Sequence, residues 1–424
     1  MRRGCRVPCT CGVGQSRRPG TTRIQERATR CTVSRVSLTL SIQIQHQTGH
    51  CQTAGRWSPH RRGEAPARIL RPVRARGDAM SGDGASKPRV GVVGVGHLGS
   101  HHARILNESY GWNLVGVFDT NPERNTEVAN RHQLTVFDSC ESLLAEVDAI
   151  TICTPTESHF GIAGDAARRG KHVFVEKPIC ATDDEADRLV QIVTDAGVTH
   201  AAGHIERFNP AINAIRERIG TPRFIEAHRL NQFSPRGLAT DVILELMIHD
   251  IDLVRWMVGS EPTEIRAAGV PVLSSTDDIA NCRLAFADGC VANLTASRIS
   301  AKPMRKIRIF SIDHYTSIDL SAKSVESYKL FAEDADSVEP GYWVLAQSEG
   351  KKIARWTAPL EPYDALEAEL ENFRQAITGE AAACVDLNEA AKSLHVALAV
   401  AQACREQAEI AHVSPLHPEP VPDQ

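Results

Sequence analysis

The fold of this chain is decided by two stretches of sequence, VGVVGVGHLG at residues 90–99 and LVGVFD at residues 114–119. The apolar, β-branched start of the first stretch predicts a strand that is buried on both faces of a parallel sheet. Gly94 permits a tight turn, Gly96 lets the backbone approach a phosphate group, and Gly99 lets the next helix pack against the strand. We therefore predict a dinucleotide-binding strand-helix-strand unit.

The helix after this turn is expected at residues 97–107, beginning with His97 and Leu98. Its free N–H groups would point at the pyrophosphate of a dinucleotide. Asp119 follows the second strand, 20 residues after Gly99. A carboxylate at this position accepts hydrogen bonds from the adenosine ribose and repels a 2′-phosphate. The pattern therefore predicts that NAD is the cofactor, bound by Gly94, Gly96, His97, Leu98 and Asp119.

Residues 1–79 differ from the rest of the chain in charge. They contain 16 Arg, no Lys and three acidic residues, a net charge of +13, whereas residues 80–424 carry −17. The segment has no run apolar enough for a signal peptide or a membrane span. We expect Met80 to be the true start and residues 1–79 to be a disordered extension or a mis-assigned start. Nucleic-acid binding through this basic segment is the alternative, and it predicts loss of function on deletion.

The 345 residues from Met80 onward are more than a single hydrophobic core usually contains, so two domains are expected. We predict a nucleotide-binding domain at 80–205, a substrate-binding and oligomerisation domain at 206–410 and a loose tail at 411–424. Seven cysteines lie after Met80, scattered singly and without a CxxC pair. This usage argues against zinc and disulfides and favours a cytoplasmic location.

Strand and helix patterns alternate up to residue 204, as in a doubly wound parallel sheet. A long helix is then predicted at Asp241–Val258, followed by successive strands between residues 264 and 320 and two closing helices. The turn Ala287-Asp288-Gly289 predicts a hairpin. The expected class is α/β, with an N-terminal Rossmann sheet and a C-terminal α+β domain that has a large, open, mostly antiparallel sheet. The free face of such a sheet favours homo-oligomerisation.

Polar residues follow two strands of the Rossmann half, at the sheet edge where ligands bind. One strand is followed by Thr154 and Pro155, and the next ends in Glu176, Lys177 and Pro178. Lys177 is the predicted proton relay, because burial lowers a lysine pKa and the amine then takes a hydroxyl proton as hydride leaves carbon. The alternative is a surface lysine before a loop proline.

The predicted long helix carries Asp241, Glu245 and His249 at a four-residue spacing, which would stack them along one face. Glu245 and His249 are predicted to orient a substrate hydroxyl. The alternative for His249 is a hydrogen-bonded core histidine. Glu245, His249 and His204 could also be the ligands of a metal site. The sequence has no HExxH motif, however, and no metal is predicted.

The segment GHIERFNP, residues 203–210, follows the last strand of the Rossmann half. Polar side chains at this point are well placed to line a cleft between domains. Arg207 is predicted to clamp a carboxylate or phosphate, and Asn209 to contact the substrate beside it. The alternative for Arg207 is a salt bridge across the domain seam.

Four motifs together indicate a protein family. They are GVGHLG at 94–99, TPT at 154–156 with His159, GKHVFVEKP at 170–178 and HDID at 249–252. They resemble the Gfo/Idh/MocA family of NAD(P)-dependent sugar oxidoreductases over residues 88 to about 405. The resemblance implies a Rossmann domain and a C-terminal domain whose open sheet often forms dimers or tetramers.

The same resemblance implies residue roles. Lys177 would be the catalytic lysine and His249 the histidine that binds the substrate hydroxyl. Glu245 departs from the family, which usually carries Asp or Asn four residues before that histidine. The cofactor-binding residues implied in addition are Thr154, Pro155, His159, Glu176 and Lys177.

Within the family, GHIERFNP and RKIRIFS, the latter at residues 305–311, resemble the branch that acts on UDP-N-acetylhexosamines. This implies NAD-dependent oxidation of a secondary hydroxyl, at C3 of UDP-N-acetylglucosamine or a related UDP-sugar, to a ketone. A PLP aminotransferase would be the metabolic partner in amino-sugar (lipid A type) biosynthesis, and a homodimer or homotetramer is expected, without nucleic acid or membrane. The alternatives are a free-sugar or inositol dehydrogenase, or an inactive NAD-binding regulator.

Overall fold

The computed structural model describes residues 86–233, 240–335 and 337–410. The predicted extension at 1–79 and the predicted tail at 411–424 lie outside these residues. Among the helices of the described ranges, none is long and apolar enough to cross a membrane. Two β-sheets organise this part of the chain.

The first sheet is parallel and carries the glycine-rich turn. Its strands are β1 Arg89–Val93, β2 Asn113–Phe118, β3 Thr135–Val136, β4 Ala149–Ile152, β5 His172–Glu176 and β6 His200–Gly203. They are arranged in the order β3-β2-β1-β4-β5-β6, so strands are added first on one side of β1 and then, from β4 onward, on the other. This reversal opens a cleft beyond the carboxyl ends of β1 and β4, where open α/β sheets bind ligands. The Rossmann prediction is confirmed.

Five helices cover this sheet, and three of them begin at a capping side chain. The five are α1 His97–Glu108, α2 Pro122–His132, α3 Cys140–Glu146, α4 His159–Arg168 and α5 Asp183–Ala196. Asn121, Ser139 and Thr182 accept backbone N–H bonds at the starts of α2, α3 and α5. These caps satisfy donors that a helix start leaves unpaired.

The second sheet is large and mostly antiparallel, as predicted. Its strands are β7 Phe224–Leu230, β8 Pro262–Val270, β9 Ile279–Phe286, β10 Val291–Ser297, β11 Met304–Phe310, β12 His314–Asp319, β13 Ser324–Ala332, β14 Trp343–Ser348 and β15 Lys351–Thr357. Their order is β14-β15-β13-β12-β11-β7-β10-β9-β8. The pairing of β7 with β10 is parallel, whereas the other neighbouring pairs are antiparallel.

The sequence did not predict β13, β14 and β15. All six residues of the edge strand β14 are exposed. An edge strand with no buried face lacks the apolar alternation on which strand prediction depends.

The helices of the second half of the chain are α6 Pro210–Ile215, α7 Ile248–Val258, α8 Ala365–Thr378 and α9 Leu387–Ile410. The single helix predicted at Asp241–Val258 is wrong in one respect, because a π-helical turn at Ile243–Met247 precedes α7. A π-turn takes more residues than an α-turn, and Asp241 lies before it with its carboxylate accepting the Ile243 N–H at 2.8 Å. The Asp241 carbonyl oxygen accepts the Glu245 N–H at 2.9 Å, so Asp241 and Glu245 are one turn apart, and the π-turn, in which Glu245 lies, directly precedes the start of α7.

The two closing helices return to the first sheet. Phe373 of α8 packs against Trp112 and Phe174, with ring centroids 5.8 and 5.7 Å apart. The backbone of Val385, before α9, accepts a hydrogen bond of 3.0 Å from Ala202 N in β6. These contacts hold α8 and the segment before α9 against the first half of the chain.

Candidate active site

The glycine-rich turn has the shape that a bound phosphate requires. Gly94 adopts a φ of +84°, a conformation that favours glycine. A Cβ on Gly99 would lie 1.8 Å from the Gly94 carbonyl oxygen, whereas a Cβ on Gly96 would meet no atom within 4 Å. The fold of the protein therefore requires glycine at positions 94 and 99, whether or not a ligand is bound. Gly96 instead borders open space in front of α1.

The start of α1 faces this open space. Gly96 is its N-cap, with no capping side chain and no acidic residue in the first turn. His97 and Leu98 are exposed there. A helix start of this kind presents N–H groups and the positive end of the helix dipole to an anion.

Asp119 lies beside the turn and also shapes it. Its carboxylate accepts the Val95 N–H and the Asn121 N–H, both at 2.8 Å. The side chain is only partly buried. A carboxylate has about four lone-pair sites, so it retains capacity for further donors.

His159 joins the loops that follow β4 and β5. Its Nδ1 lies 2.9 Å from the Pro178 carbonyl oxygen and its Nε2 lies 2.8 Å from the Thr154 carbonyl oxygen. The ring is buried, and burial lowers the pKa of His159. The predicted residues Thr154, Pro155 and His159 are therefore brought together, with His159 as the brace between the two loops.

Glu176 connects the lysine to α1. Its Oε1 lies 3.0 Å from Nε2 of the fully buried His102, and its Oε2 accepts the Lys177 backbone N–H at 3.2 Å. His102 was missed from the sequence, where the only signal was a polar residue on the buried face of α1. The contact ties the Lys177 backbone to the helix of the glycine-rich turn.

Lys177 points across the cleft and not into solvent. Its Nζ donates a hydrogen bond of 2.6 Å to the main-chain carbonyl oxygen of Glu245. Burial lowers the pKa of Lys177, against the opposing effect of the carboxylates of Glu176 and Glu245. The alternative of a surface lysine is therefore wrong.

Glu245 and His249 reach the same place from the π-turn and α7. Burial raises the pKa of Glu245, whose Oε2 lies 3.4 Å from Nη1 of Arg298. Burial and the nearby charge of Lys177 hold the pKa of His249 well below its usual range, so the imidazole is neutral near pH 7. An amine, a neutral imidazole and a carboxylate thus converge, a set that can accept and orient a hydroxyl proton.

Arg298 is a second residue that the sequence did not reveal. It is buried, and it donates to the Asp278 carboxylate at 2.8 Å and to the Thr240 carbonyl at 2.6 Å. Through these bonds and its contact with Glu245, it anchors the start of the π-turn.

Arg207 and Asn209 lie deeper than predicted. The Arg207 side chain is 4% exposed, and its Nε and Nη2 contact the Asp252 carboxylate at 2.5 and 2.9 Å. Asn209 accepts the Ala211 N–H at the start of α6 and donates to Glu206 Oε2, both at 3.0 Å. Arg207 therefore forms a buried salt bridge, as its alternative held, but with a residue of the same predicted domain (206–410) and not across the domain seam. Asn209 caps a helix.

No cluster of three or more His, Cys, Asp or Glu side chains with metal-binding geometry occurs within the described ranges. His204, one of the three residues considered above as metal ligands, lies edge-on to His249 with ring centroids 6.4 Å apart.

Two family models match this chain. One, described as an oxidoreductase family with an NAD-binding Rossmann fold, covers residues 88–204, and the GFO/IDH/MocA C-terminal domain covers residues 213–312. UDP-N-acetylglucosamine 3-dehydrogenase of Acidithiobacillus ferrooxidans is 41% identical over 290 residues, which are 68% of this chain and 88% of the relative.

A solved structure of that dehydrogenase superposes with a TM-score of 0.68 at 38% identity, covering 75% of this chain and 98% of its own. Inositol 2-dehydrogenase of Rhizobium meliloti is 29% identical over 196 residues, 44% of this chain and 59% of the relative. Together with the Rossmann sheet and the cleft that holds Lys177, these likenesses establish that the chain is an oxidoreductase of the Gfo/Idh/MocA family.

Proposed function

We propose that this protein oxidises a secondary hydroxyl of a sugar nucleotide, at C3 of UDP-N-acetylglucosamine or a related UDP-sugar, with NAD⁺. The observation that carries the proposal is the meeting of Lys177 with the segment that bears Glu245 and His249. The 41% identity to a dehydrogenase of that name supports the choice of substrate.

The residues present fit a dinucleotide. The open space at Gly96 and the uncapped start of α1 suit a pyrophosphate, with His97 and Leu98 beside it. The nicotinamide, when bound, supplies the hydride acceptor. Asp119 favours NAD over NADP, because its carboxylate repels a 2′-phosphate. The further residues proposed to hold the cofactor are Gly94, Thr154, Pro155, His159, Glu176 and Lys177.

Lys177 is proposed to take the hydroxyl proton. Its lowered pKa makes the neutral amine available closer to neutral pH than in a solvated lysine. His249, held neutral, would bind the hydroxyl, and the Glu245 carboxylate would orient the neighbouring part of the sugar. As the hydroxyl carbon loses its hydride, the proton passes to Lys177 Nζ and the carbon becomes a ketone.

Arg207 and Asn209 are proposed to support the site and not to touch the substrate. Both are buried and their polar atoms are engaged with Asp252, Glu206 and the backbone.

The second sheet is proposed to bind a second copy of the chain, giving a homodimer or homotetramer. Phe224, Phe310, Tyr315 and Tyr328 lie directly opposite one another on four adjacent strands, with ring centroids 4.9 to 5.9 Å apart. All four side chains are at least partly exposed. A continuous aromatic row on an open sheet is typical of an interface, and light scattering of the purified protein tests it.

Two further proposals concern the setting of the enzyme. Seven cysteines in the described residues are free thiols, which supports a reducing cytoplasm. The ketone that the reaction forms is a substrate for a PLP-dependent aminotransferase, the class of enzyme proposed to act next.

The experiment is a substrate screen with the purified full chain and NAD⁺. UDP-N-acetylglucosamine, UDP-glucose, myo-inositol and glucose are compared by absorbance of reduced nicotinamide, with Lys177→Met as the inactive control. We expect turnover of the UDP-N-acetyl sugar and a ketone at C3 by NMR. Turnover of myo-inositol alone would favour the inositol dehydrogenase that a 29% identical relative suggests. NAD binding without turnover of any sugar would favour the regulator.

A further inference from the structure

His204 occupies a place in the site that the mechanism above does not use. Strands β5 and β6 run parallel with Glu176 opposite Gly203, so Lys177 and His204 are the next residues on neighbouring strands. Neighbouring strands are about 4.8 Å apart, and both residues emerge at the same carboxyl edge. His204 is 1% exposed. A buried imidazole therefore stands beside the proposed catalytic lysine.

One side of the His204 ring faces a fixed anion. Its Nδ1 lies 3.8 Å from Oδ2 of Asp252, whose carboxylate is held by Arg207 and by Ser393 Oγ at 3.1 Å. Arg207 keeps the pKa of Asp252 below its usual range despite burial. At this distance Asp252 acts on His204 through its charge and not through a hydrogen bond. A carboxylate that stays charged favours the imidazole tautomer with the proton on the facing nitrogen.

The other side of the ring faces His249. The two rings meet edge to face, with centroids 6.4 Å apart and planes at 82°. Nδ1 of His249 is buried and has no hydrogen-bond partner among the described residues. No hydrogen bond holds that nitrogen, and the edge-to-face contact with His204 limits how the His249 ring can turn.

We propose that His204 is a positioning residue: anchored by Asp252, it holds the His249 imidazole in place beside the amine of Lys177. This rests on the proposed dehydrogenase function, in which His249 binds the reacting hydroxyl. It also gives the buried Arg207-Asp252 pair a role, since that pair is the support behind His204.

The kinetic test uses three variants of the full chain with NAD⁺ and the UDP-sugar. His204→Phe keeps the ring but removes the nitrogen that faces Asp252, His204→Asn retains a donor near that position, and Asp252→Asn removes the anion. His200→Asn, on the same strand, is the control. We expect His204→Phe and Asp252→Asn to lower kcat by roughly tenfold to a hundredfold, as loss of supporting partners usually does, and His204→Asn to recover part of it.

The deuterium isotope effect on kcat separates positioning from misfolding. With deuterium on the reacting carbon, a displaced His249 slows the chemical step, so the isotope effect rises in His204→Phe. A lower content of correctly folded enzyme reduces kcat equally for the two isotopic substrates, so the isotope effect stays unchanged. Wild-type kcat in His204→Phe, or a loss that comes with an unchanged isotope effect and a lower melting temperature, overturns the proposal.

A second measurement does not depend on the substrate. In the ¹⁵N-histidine NMR spectrum of the full chain, the signals of His204 are those lost in His204→Phe. We expect the Nδ1–H tautomer in the wild type and a mixture in Asp252→Asn. An Nε2–H tautomer, or a spectrum that Asp252→Asn leaves unchanged, overturns the anchor even in a protein active on UDP-sugars. Inactivity of the wild type with the expected tautomer refutes the proposed function alone.

Discussion

The Nζ of Lys177 donates a 2.6 Å hydrogen bond to the main-chain carbonyl oxygen of Glu245, 68 residues further along the chain. The bond joins the carboxyl edge of the Rossmann sheet to the π-turn of the second half. π-Turns in helices are frequent at functional sites. The contact brings the proposed proton acceptor to the segment that carries His249.

Replacing Lys177 with Met tests the proposed proton acceptor. We expect kcat to fall by roughly 10² to 10⁴, the usual contribution of a positioned acid or base, with little change in NAD affinity. In the wild type, kcat should rise with pH up to a pKa below the 10.5 of an ordinary lysine, and this limb should vanish in the variant. Lys171→Met is the matched control, because Lys171 Nζ binds the Val147 carbonyl near the opposite end of β5. Equal loss in both variants would contradict the role.

Two alanine substitutions in the glycine-rich turn should have opposite effects. Gly96→Ala adds a methyl group that meets no protein atom within 4 Å, so stability should hold while NAD affinity falls by about tenfold or more. Gly99→Ala places a methyl group 1.8 Å from a backbone oxygen, so it should destabilise the fold by about 1–3 kcal/mol or more. Calorimetry and thermal melting distinguish them. Unchanged NAD affinity in Gly96→Ala would show that NAD does not bind against this turn.

Asp119→Ser tests the choice of cofactor. Loss of the carboxylate removes charge-assisted hydrogen bonds of about 1.5–3 kcal/mol, so NAD affinity should fall by roughly tenfold to a hundredfold. NADP affinity should rise, because the repulsion of the 2′-phosphate disappears. Fluorescence titration with both cofactors measures the change, with Asp138→Ser, an exposed aspartate after β3, as the control. A variant that still prefers NAD as strongly as the wild type contradicts the assignment.

Arg207→Met decides between the two readings of that arginine. The substitution leaves the Asp252 carboxylate buried without its partner, which should destabilise the protein by about 3–5 kcal/mol. Urea denaturation gives the free energy of unfolding, and Asp252→Asn with the double variant completes the cycle. Unchanged stability together with a raised KM for the UDP-sugar would restore the predicted substrate contact.

Acid should destabilise the fold through buried histidines. Burial lowers the pKa of His159 and His249 below the 6.5 of an unfolded histidine. Below that pH the unfolded state binds protons that the native state refuses, so stability is full above about pH 6.5 and falls as pH drops. Each group contributes up to about 1.4 kcal/mol per pH unit. Urea midpoints between pH 7.5 and 5.5 should decline less steeply in His249→Asn, and equal slopes would contradict this account.

The sequence by itself determined the Rossmann half and most of the second sheet. Gly94 and Gly99 form the predicted turn because its backbone geometry admits only glycine there, and the Asp119 carboxylate, at the end of the neighbouring strand, accepts the Val95 N–H. Strand β9 lies within the run of strands predicted between residues 264 and 320, because its buried and exposed positions alternate. The domain limits at 80, 205 and 410 and the roles of the site residues stay predictions.

Only the tertiary structure decided how the polar residues are used. Arg207 and His249 are both polar residues in apolar surroundings, and no local pattern tells a buried salt bridge from a ligand contact. The difference arises from which side chain lies opposite, Asp252 in one case and the edge of His204 in the other. The partners in each pair, Arg207 with Asp252 and His204 with His249, are 45 positions apart in the chain. They meet because α7 packs against the end of β6, a long-range contact that local sequence periodicity does not encode.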